Sequence, residues 1–282
     1  MKNKQITVVI PTLGKKKLHK NLKILSDNIY VKQIIISLPK NSISKNFYSN
    51  YNKVKLIYSK LKGQVYQRIS VQKFISTKYV LYMDDDIFFD KLLVNKLLET
   101  KIRTGSKTAV GPVYFEKKTK KKIHPLNGNI LFLIKKIIHY LLFKVPISKK
   151  RMGQVSLCGS CYGVDGEYIK KNPFKTSWLP GGCFIISKKY MINYNYFPVD
   201  GKAFCEDLIL SLLLRKKKIK LYIDKNVKIF TDSPKKLIKS NDILEYLNGH
   251  KIYCSYAKLN NYRVKIWRQI FEIRLKINNF LN

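Results

Sequence analysis

Apolar positions along the first half of the chain follow two alternating patterns. Residues 6–10 form a short β-branched run that ends at Pro11, and Leu18, Leu22 and Leu25 then recur at the spacing of one helix face. The same alternation predicts three more strands, with one helix between the last two of them: strands at 34–36, 54–58 and 79–83, and a helix at 64–76. Strands that are apolar throughout and separated by helices are typical of an α/β fold, in which helices cover both faces of a mainly parallel sheet.

The rest of the chain continues this order up to a break at Ser233 and Pro234. We expect the following elements before the break: a helix to about 103, a strand at 108–114, a basic loop or hairpin at 116–122, an apolar helical segment at 129–145, a strand at 183–187, a helix at 206–216 and a short strand at 220–223. Beyond the break the pattern is helical and basic. We therefore divide the chain into an α/β domain at 1–232 and a helical basic C-terminal extension at 233–282.

The 282-residue chain is strongly basic, with 56 Lys and Arg against 17 Asp and Glu and a formal net charge of +39. Such an excess favours an anionic partner: nucleic acid, an acidic membrane surface or a phosphorylated substrate. However, only seven of the 56 cations are Arg, and the abundance of Lys, Asn and Ile also fits AT-rich coding. Because Arg is the residue suited to reading bases, its scarcity argues against sequence-specific recognition of nucleic acid.

The five cysteines do not have the pattern of a disulfide-stabilised protein. Their odd number in a long chain favours a reducing compartment. Cys158 and Cys161 form a lone CxxC without a second pair or a nearby His, which is weak support for a zinc site. No stretch has the apolar length of a signal peptide or a membrane-spanning helix, so we expect the protein in the cytoplasm.

Three consecutive aspartates, Asp84, Asp85 and Asp86, directly follow the apolar run at 79–83 in a chain with few acidic residues. If the strand continues through them, Asp84 and Asp86 lie on one face and Asp85 on the other. Two carboxylates on one face suit Mg²⁺ or Mn²⁺ that is shared with substrate phosphates. The alternatives are an acidic turn, or the N-terminus of a helix that begins near Asp90.

A glycine pair and an acidic pair follow in the second half of the chain. Gly181 and Gly182 precede an apolar strand, and Glu206 and Asp207 begin a predicted helix. Carboxylates in a first helical turn stabilise the helix by capping and by complementing its dipole. Alternatively, one of them is a general base that takes a proton from a hydroxyl group.

Five short motifs occur in order along about residues 5–232: VVIPTLG, KGQVYQR, YVLYMDDDI, WLPGGCFIISKKYM and CEDLILSLLLRKKKIKLYI. Together they resemble the inverting family 2 glycosyltransferases, which have the Rossmann-like GT-A fold. The resemblance implies a hexosyltransferase-type enzyme that uses a nucleotide-sugar donor and a divalent cation, Mn²⁺ or Mg²⁺.

The resemblance also implies the residues of a donor site. They are Pro11 and Thr12 beside the nucleotide, Gly63 and Arg68 near its base or phosphates, Asp84 and Asp85 at the ribose and donor, and Asp86, together with Asp84, on the metal.

On the acceptor side, the resemblance implies that Gly181 and Gly182 form a close-approach loop beside the sugar and the acceptor. Asp207 is the implied base, with Glu206 as its neighbour or substitute. The implied acceptor is a hydroxyl of a saccharide or lipid-linked saccharide, in the synthesis of cell-envelope polysaccharide or glycolipid.

Two stretches depart from the family pattern. Residues 36–42 lack the acidic turn that follows the second strand in many such enzymes, so a UDP-sugar is implied only as the commonest donor of the family. Thr231 and Asp232 stand where some relatives place a His, so the resemblance does not imply a third protein ligand to the metal.

Two basic amphipathic segments, 129–145 and 262–282, predict contact with an anionic membrane surface, as a peripheral protein on the inner face of the cytoplasmic membrane. In the second segment, apolar residues follow helical spacing and most cations lie off their stripe: Ile266, Ile270, Ile273, Ile277 and Leu281. The alternative is that both segments pack on the domain or on a partner subunit.

The sequence also fits two other functions. Lys-rich loops and abundant aromatic residues suit a nucleic-acid-binding protein, and an inactive relative of the glycosyltransferases could serve as a binding subunit. The acids are clustered at the two positions that a glycosyltransferase needs, which argues against both. His124 and His139 are isolated, and Trp178 fits either stacking on a sugar ring or a place in the core.

Overall fold

A computed structural model describes residues 4–14, 18–40, 42, 51–123, 137, 139–145, 151–198, 203–232 and 240–280. Eight strands are found in this part of the chain: β1 (Ile6–Pro11), β2 (Val31–Pro39), β3 (Val54–Ser59), β4 (Tyr79–Met83), β5 (Thr108–Glu116), β6 (Phe174–Thr176), β7 (Cys183–Ser187) and β8 (Lys220–Thr231). They form one sheet in the order β3-β2-β1-β4-β7-β5-β8-β6.

The strands of this sheet are mainly parallel. β1 pairs in parallel with β2 and β4, β2 with β3, and β5 with β8, whereas β7 runs antiparallel to both of its neighbours, β4 and β5. The carboxyl ends of β1, β4 and β5 therefore meet the amino end of β7 at one edge of the sheet. Ligands of open α/β sheets bind at such an edge, and the predicted site residues lie there.

Besides a short helix at 139–143, the described part contains six longer helices: α1 (His19–Asp27), α2 (Gln64–Ser70), α3 (Leu93–Thr104), α4 (Glu206–Lys216), α5 (Ser240–Tyr256) and α6 (Asn261–Phe280). Alternate residues of the central strands enter two hydrophobic cores. Val8 belongs to the core that contains Leu22 of α1 and Leu97 of α3. Its neighbour Val9 belongs to the other core, which contains Val65 of α2 and helix α4. The predicted α/β architecture, with helices on both faces, is confirmed.

Several element boundaries differ from those predicted from sequence. Strand β7 and helix α4 have the predicted bounds. The predicted helix at 64–76 is instead helix α2 followed by a separate 3₁₀ turn at Gln72–Phe74. Strand β8 is longer than expected because it continues past a bulge to pair with the end of β5, and β6 was not predicted. Of the segment at 129–145, only 137 and 139–145 are described, with a helix at 139–143, and His124 lies outside the described residues.

The C-terminal helices α5 and α6 pack on the α/β domain. Tyr253, Cys254 and Val264 are buried in the same core as helix α4. Within the described residues, no helix combines the length and the apolar character that crossing a bilayer requires.

The apolar stripe of α6 faces the protein over its first half. Ile266 and Ile270 are half-buried against a neighbouring aromatic cluster, whereas Ile273 is 57% exposed. The side chains of the last two positions, Ile277 and Leu281, lie outside the described part. The start of this stripe therefore packs on the protein itself, which was the alternative to membrane contact.

Candidate active site

The three aspartates lie in a turn and not in a strand. β4 ends at Met83, so the alternation of side chains that we used to place Asp84 and Asp86 on one face does not extend through them. The backbone N–H of Asp84 donates to the carbonyl of Gly182 (2.8 Å), which ties the turn to the loop before β7. All three side chains are half-buried.

The end of β1 is joined to this turn by a side-chain hydrogen bond. The hydroxyl of Thr12 donates to the carboxylate of Asp85. Gln67 of α2 also holds the end of β1, because its side-chain amide donates to the carbonyls of Thr12 (2.9 Å) and Ser37 (2.6 Å). Pro11, the last residue of β1, is buried beside them. The strand ends and the aspartate turn therefore form one connected surface.

Arg68 links the aspartate turn to the acidic pair. Its guanidinium contacts Asp84 (3.0 Å) and Glu206 (2.8 Å) and donates to the carbonyl of Gly181 (2.8 Å). Only 3% of the side chain is exposed. Burial alone would lower the pKa of Arg68, but the carboxylates of Glu206 and Asp84 raise it above its usual value. Arg68 is therefore a permanent buried cation that holds three segments of the site together.

Glu206 serves as the anchor of this ion pair. Its Oε1 accepts from Arg68, and its Oε2 accepts from the hydroxyl of Tyr196 (3.0 Å). The side chain is 5% exposed. Because both oxygens are engaged by protein donors, Glu206 is poorly placed to take a proton from a substrate, and Asp207 is the better candidate of the pair.

Asp207 combines partial exposure with a perturbed pKa. Its Oδ1 accepts from the backbone N–H of Leu208 (2.9 Å) in the first turn of α4. Desolvation, followed by the negative charge of Glu206, raises the pKa of Asp207 to about 7. A carboxyl group with a pKa near neutrality is suited to accept and release a proton at physiological pH.

The glycine pair lies between the two groups of carboxylates. A Cβ at Gly181 would lie 2.5 Å from Oε1 of Glu206, and a Cβ at Gly182 would lie 3.2 Å from Oδ2 of Asp84. A side chain at either position would press on one of these carboxylates. The loop therefore approaches both of them closely, and its predicted place beside the sugar and the acceptor stays a prediction.

Gly63 is linked to Asp84 through its neighbour Gln64. It precedes α2 with a φ of 140°, a backbone conformation that favours glycine. The next residue, Gln64, donates from its side-chain amide to Oδ1 of Asp84. The structure therefore brings every predicted donor-site residue to one edge of the sheet.

Similar proteins were found by structure alone. No protein-family model matches the chain, and no curated protein matches it. The solved structures that resemble it include GalNAc-T7 with UDP, GalNAc and Mn²⁺ (TM-score 0.58, 12% identity, 90% of this chain), glucosyl-3-phosphoglycerate synthase from Mycobacterium tuberculosis with phosphoglyceric acid (0.53, 12%, 92%) and S. aureus TarS 1-349 (0.50, 16%, 88%). All three are GT-A glycosyltransferases. The chain has the GT-A fold.

The likeness does not extend over the whole of these neighbours. This chain spans 50% of the GalNAc-T7 chain, 65% of the TarS chain and 81% of the synthase chain. At 12–16% identity, the likeness establishes the GT-A fold and leaves the activity to be argued from the site.

The aspartate turn of this GT-A domain fits a divalent cation only if the ligand supplies further oxygens. Among the described residues, no group of three His, Cys, Asp or Glu side chains could hold a metal ion. Oδ1 of Asp84 is engaged by Arg68 and Gln64. Mg²⁺ and similar hard cations bind through one or two carboxylates together with substrate phosphates, and the set of Asp84 and Asp86 suits this mode.

Four further residues shape the site of the GT-A domain and were not among the predicted site residues: Gln64, Gln67, Tyr114 and Tyr196. Gln64 lies four residues before Arg68 on α2, so one helix face presents both to Asp84, and this spacing was visible in the sequence. Tyr114 donates to the carbonyl of Pro180 (3.4 Å) from within an apolar run, where it looks like a core residue.

The weaker candidates of the sequence have structural roles in the GT-A domain. Trp178 is 6% exposed, and its indole N–H donates to the carbonyl of Tyr162 (3.0 Å), so it packs as a wall residue. His139 is within hydrogen-bond distance of the hydroxyl of Tyr162 (3.0 Å). Cys158 is buried, Cys161 is exposed, and both are free thiols.

Proposed function

We propose that the protein is a metal-dependent inverting glycosyltransferase, which moves a sugar from a nucleotide-sugar donor to a hydroxyl group of an acceptor. The observation that carries the proposal is the buried bridge of Arg68 between Asp84 and Glu206. This bridge fixes the aspartate turn, where the donor would bind, next to Asp207, whose pKa is raised to about 7.

The proposed reaction is a single displacement. The carboxylate of Asp207 takes the proton of the acceptor hydroxyl, and the oxygen attacks the anomeric carbon of the donor sugar. The new C–O bond forms as the bond from the anomeric carbon to the diphosphate breaks, and the nucleoside diphosphate leaves with the electron pair. Attack from the face opposite the leaving group inverts the anomeric configuration.

Asp86 and Asp84 are the residues proposed to hold Mn²⁺ or Mg²⁺ through carboxylate oxygens. When bound, the cation supplies positive charge that stabilises the departing diphosphate. Thr12 orients Asp85 by a hydrogen bond, and Gln64 and Arg68 hold Asp84. These contacts restrict the aspartate turn before the donor arrives, which lowers the entropy cost of binding.

The proposed donor is a UDP-sugar. In support, one structural neighbour was solved with UDP, GalNAc and Mn²⁺. The proposed acceptor is a saccharide or lipid-linked saccharide used in cell-envelope polysaccharide or glycolipid synthesis at the cytoplasmic face of the membrane. The net charge of +39 suits a phosphorylated or membrane-borne acceptor.

Contact with an anionic membrane is part of the proposal. Three apolar side chains are exposed on the helix at 139–143 or just before it: Ile137 (43%), Tyr140 (47%) and Leu141 (63%). Phe143 of the same segment packs in one cluster with Trp267 of α6. Exposed apolar side chains in a basic protein suit the surface of an anionic bilayer. Because the start of the α6 stripe is buried, we propose these exposed side chains as the membrane contact instead.

The rival functions make different predictions for binding. A glycosyltransferase should bind UDP in calorimetry more tightly with Mn²⁺ than with excess chelator. A nucleic-acid-binding protein should bind a single-stranded oligonucleotide far more tightly than UDP, with a strong dependence on salt. Tight binding of the oligonucleotide, together with a UDP affinity that Mn²⁺ does not change, would contradict the proposal.

An inactive binding subunit would bind the nucleotide without turning the donor over. Proton NMR of the reaction distinguishes the two, because the anomeric coupling constant reports the configuration of the transferred sugar. We expect the configuration opposite to that of the donor. Retention of configuration would exclude the single displacement.

A further inference from the structure

Helix α5 of the C-terminal extension contacts two separate segments through adjacent residues. A Cβ at Gly249 would lie 2.1 Å from the backbone oxygen of Phe204, so the helix backbone lies against that residue without space for a side chain. The next residue, His250, is fully buried, and its Nε2 is 2.8 Å from the carbonyl oxygen of Cys158. A single turn of α5 therefore separates the segment at Phe204 from the segment at Cys158.

The first segment carries the candidate base. Phe204 is followed by Cys205, which has a left-handed backbone (φ 64°, ψ 9°), and then by the acidic pair that begins α4. A residue with a side chain adopts this conformation unfavourably, and it persists only where the surroundings hold it. The backbone of α5 at Gly249 lies directly against this turn, three residues before Asp207.

The second segment is a tight hairpin that packs on the same turn of α5. Val155 pairs with Cys161, and Gly159 at its turn has a φ of 86°. A Cβ at Gly159 would lie 2.7 Å from Nε2 of His250, so the turn fits closely onto α5. Cys161 is exposed, and the carbonyl of the next residue, Tyr162, accepts from the indole N–H of Trp178 (3.0 Å), three residues before Gly181. A Cβ at Gly181 would lie 3.3 Å from Cβ of Asp207. The hairpin therefore packs both on α5 and on the segment that leads to the glycine pair.

Aromatic packing fixes α5 in this position. The ring of Phe204 meets Tyr246 of α5 edge to face, with centroids 6.0 Å apart. The ring of His250 stacks on Trp267 of α6 at 4.1 Å, and Trp267 stacks on Phe271 at 5.1 Å. These contacts join both C-terminal helices to the turn before α4.

We propose that α5 positions the general base. Gly249 and His250 set the distance between the turn before Asp207 and the hairpin at 155–161, and in this proposal the acceptor hydroxyl approaches Asp207 beside that hairpin. The inference rests on the proposed function in assigning Asp207 as the base. On this proposal the C-terminal extension contributes to catalysis by positioning Asp207, in addition to any contact with a membrane.

The test compares Gly249→Ala with the control Asn248→Ala, which changes the adjacent, exposed residue of α5. A displacement of about 1 Å at a reacting group can reduce a rate ~100-fold. We expect Gly249→Ala to lower kcat about 10- to 100-fold at equal folded fraction, while KM for the donor stays within about 2-fold. Hydrogen exchange should accelerate at the amides of residues 204–208. The control should change neither quantity.

A second variant addresses the hairpin. His250→Phe keeps a ring to stack on Trp267 and removes the hydrogen-bonding nitrogen that contacts Cys158. We expect faster hydrogen exchange at residues 155–161 and a higher KM for the acceptor, with donor KM unchanged. If Gly249→Ala does not fold, this variant carries the test.

Activity and hydrogen exchange together distinguish an error in the role of α5 from an error in the proposed function. If the parent protein transfers no sugar, the proposed function fails, and the exchange measurement still decides whether α5 holds the turn before Asp207. If the parent is active and the variants show parental exchange, or parental kcat and KM despite faster exchange, the positioning role is wrong.

Discussion

Replacement of Asp207 by Asn separates catalysis from stability at one side chain. The amide keeps the shape of the carboxylate and an oxygen that can accept from the N–H of Leu208, which the carboxylate does at 2.9 Å. It cannot accept the proton of the acceptor hydroxyl. A general base contributes about 10²–10⁴-fold in rate, so kcat should fall by that factor, with donor affinity little changed.

The same change should make the folded protein more stable at high pH. Burial and Glu206 raise the pKa of Asp207 from its ordinary value of 3.8 to about 7, so the folded state binds this proton more tightly than the unfolded state. Stability is therefore lost as the pH rises between these values, and the loss is complete above about pH 7. The shift corresponds to at most about 4 kcal/mol. Because the side chain is partly exposed, we expect about 1–2 kcal/mol after solvent screening.

The assay is urea unfolding of the parent and Asp207→Asn at pH 4 and pH 8, combined with initial rates. We expect the variant to be more stable than the parent at pH 8 and similar at pH 4. Asp90→Asn is the matched control, since Asp90 is an exposed aspartate whose Oδ1 likewise accepts from a backbone N–H, that of Leu92 at 2.8 Å. A variant that is less stable at pH 8 and turns over at the parental rate would refute both arguments.

Three further predictions concern other parts of the site and surface. Asp86→Ala should abolish the Mn²⁺-dependent part of UDP binding in calorimetry without lowering the melting temperature, and parental affinity would remove Asp86 from the metal site. Glu206→Gln should lower the free energy of unfolding by about 1–3 kcal/mol, because it leaves Arg68 buried with Asp84 as its remaining carboxylate; an unchanged value in urea unfolding would contradict this account of the ion pair. Leu141→Glu should weaken sedimentation with phosphatidylserine vesicles, whereas Ile29→Glu, at a site that is 74% exposed elsewhere, should not; equal loss in both would exclude a localised contact.

Local patterns in the sequence were sufficient for two of the elements that form the site. The apolar run before Ser187 and the helical spacing after Glu206 gave β7 and α4 with their observed bounds. They also placed the aspartate turn and the glycine pair at strand ends. The three-residue strand β6 has too short a pattern to be recognised, and β8 is extended by pairing with β5, a tertiary effect.

The contacts that organise the site were beyond the reach of sequence patterns. Arg68 and Glu206 are 138 residues apart, and nothing in either motif specifies that they form a buried pair. For the same reason the sequence could suggest Glu206 as a substitute base, since its engagement by Tyr196 depends on the fold. Helical periodicity in α6 identified an apolar stripe, but periodicity alone does not specify whether a membrane or the protein covers it.

Release of a nucleoside diphosphate from a panel of nucleotide-sugars is the most direct test of sugar transfer by this site. The panel is incubated with the parent and with Asp207→Asn, in Mn²⁺ or Mg²⁺ and in excess chelator, with a saccharide or lipid-linked saccharide acceptor. We predict that one donor, a UDP-sugar, is turned over by the parent, that chelator abolishes the release, and that the variant is at least about 100-fold slower. Metal-independent release at equal rates from both proteins would contradict the proposed mechanism.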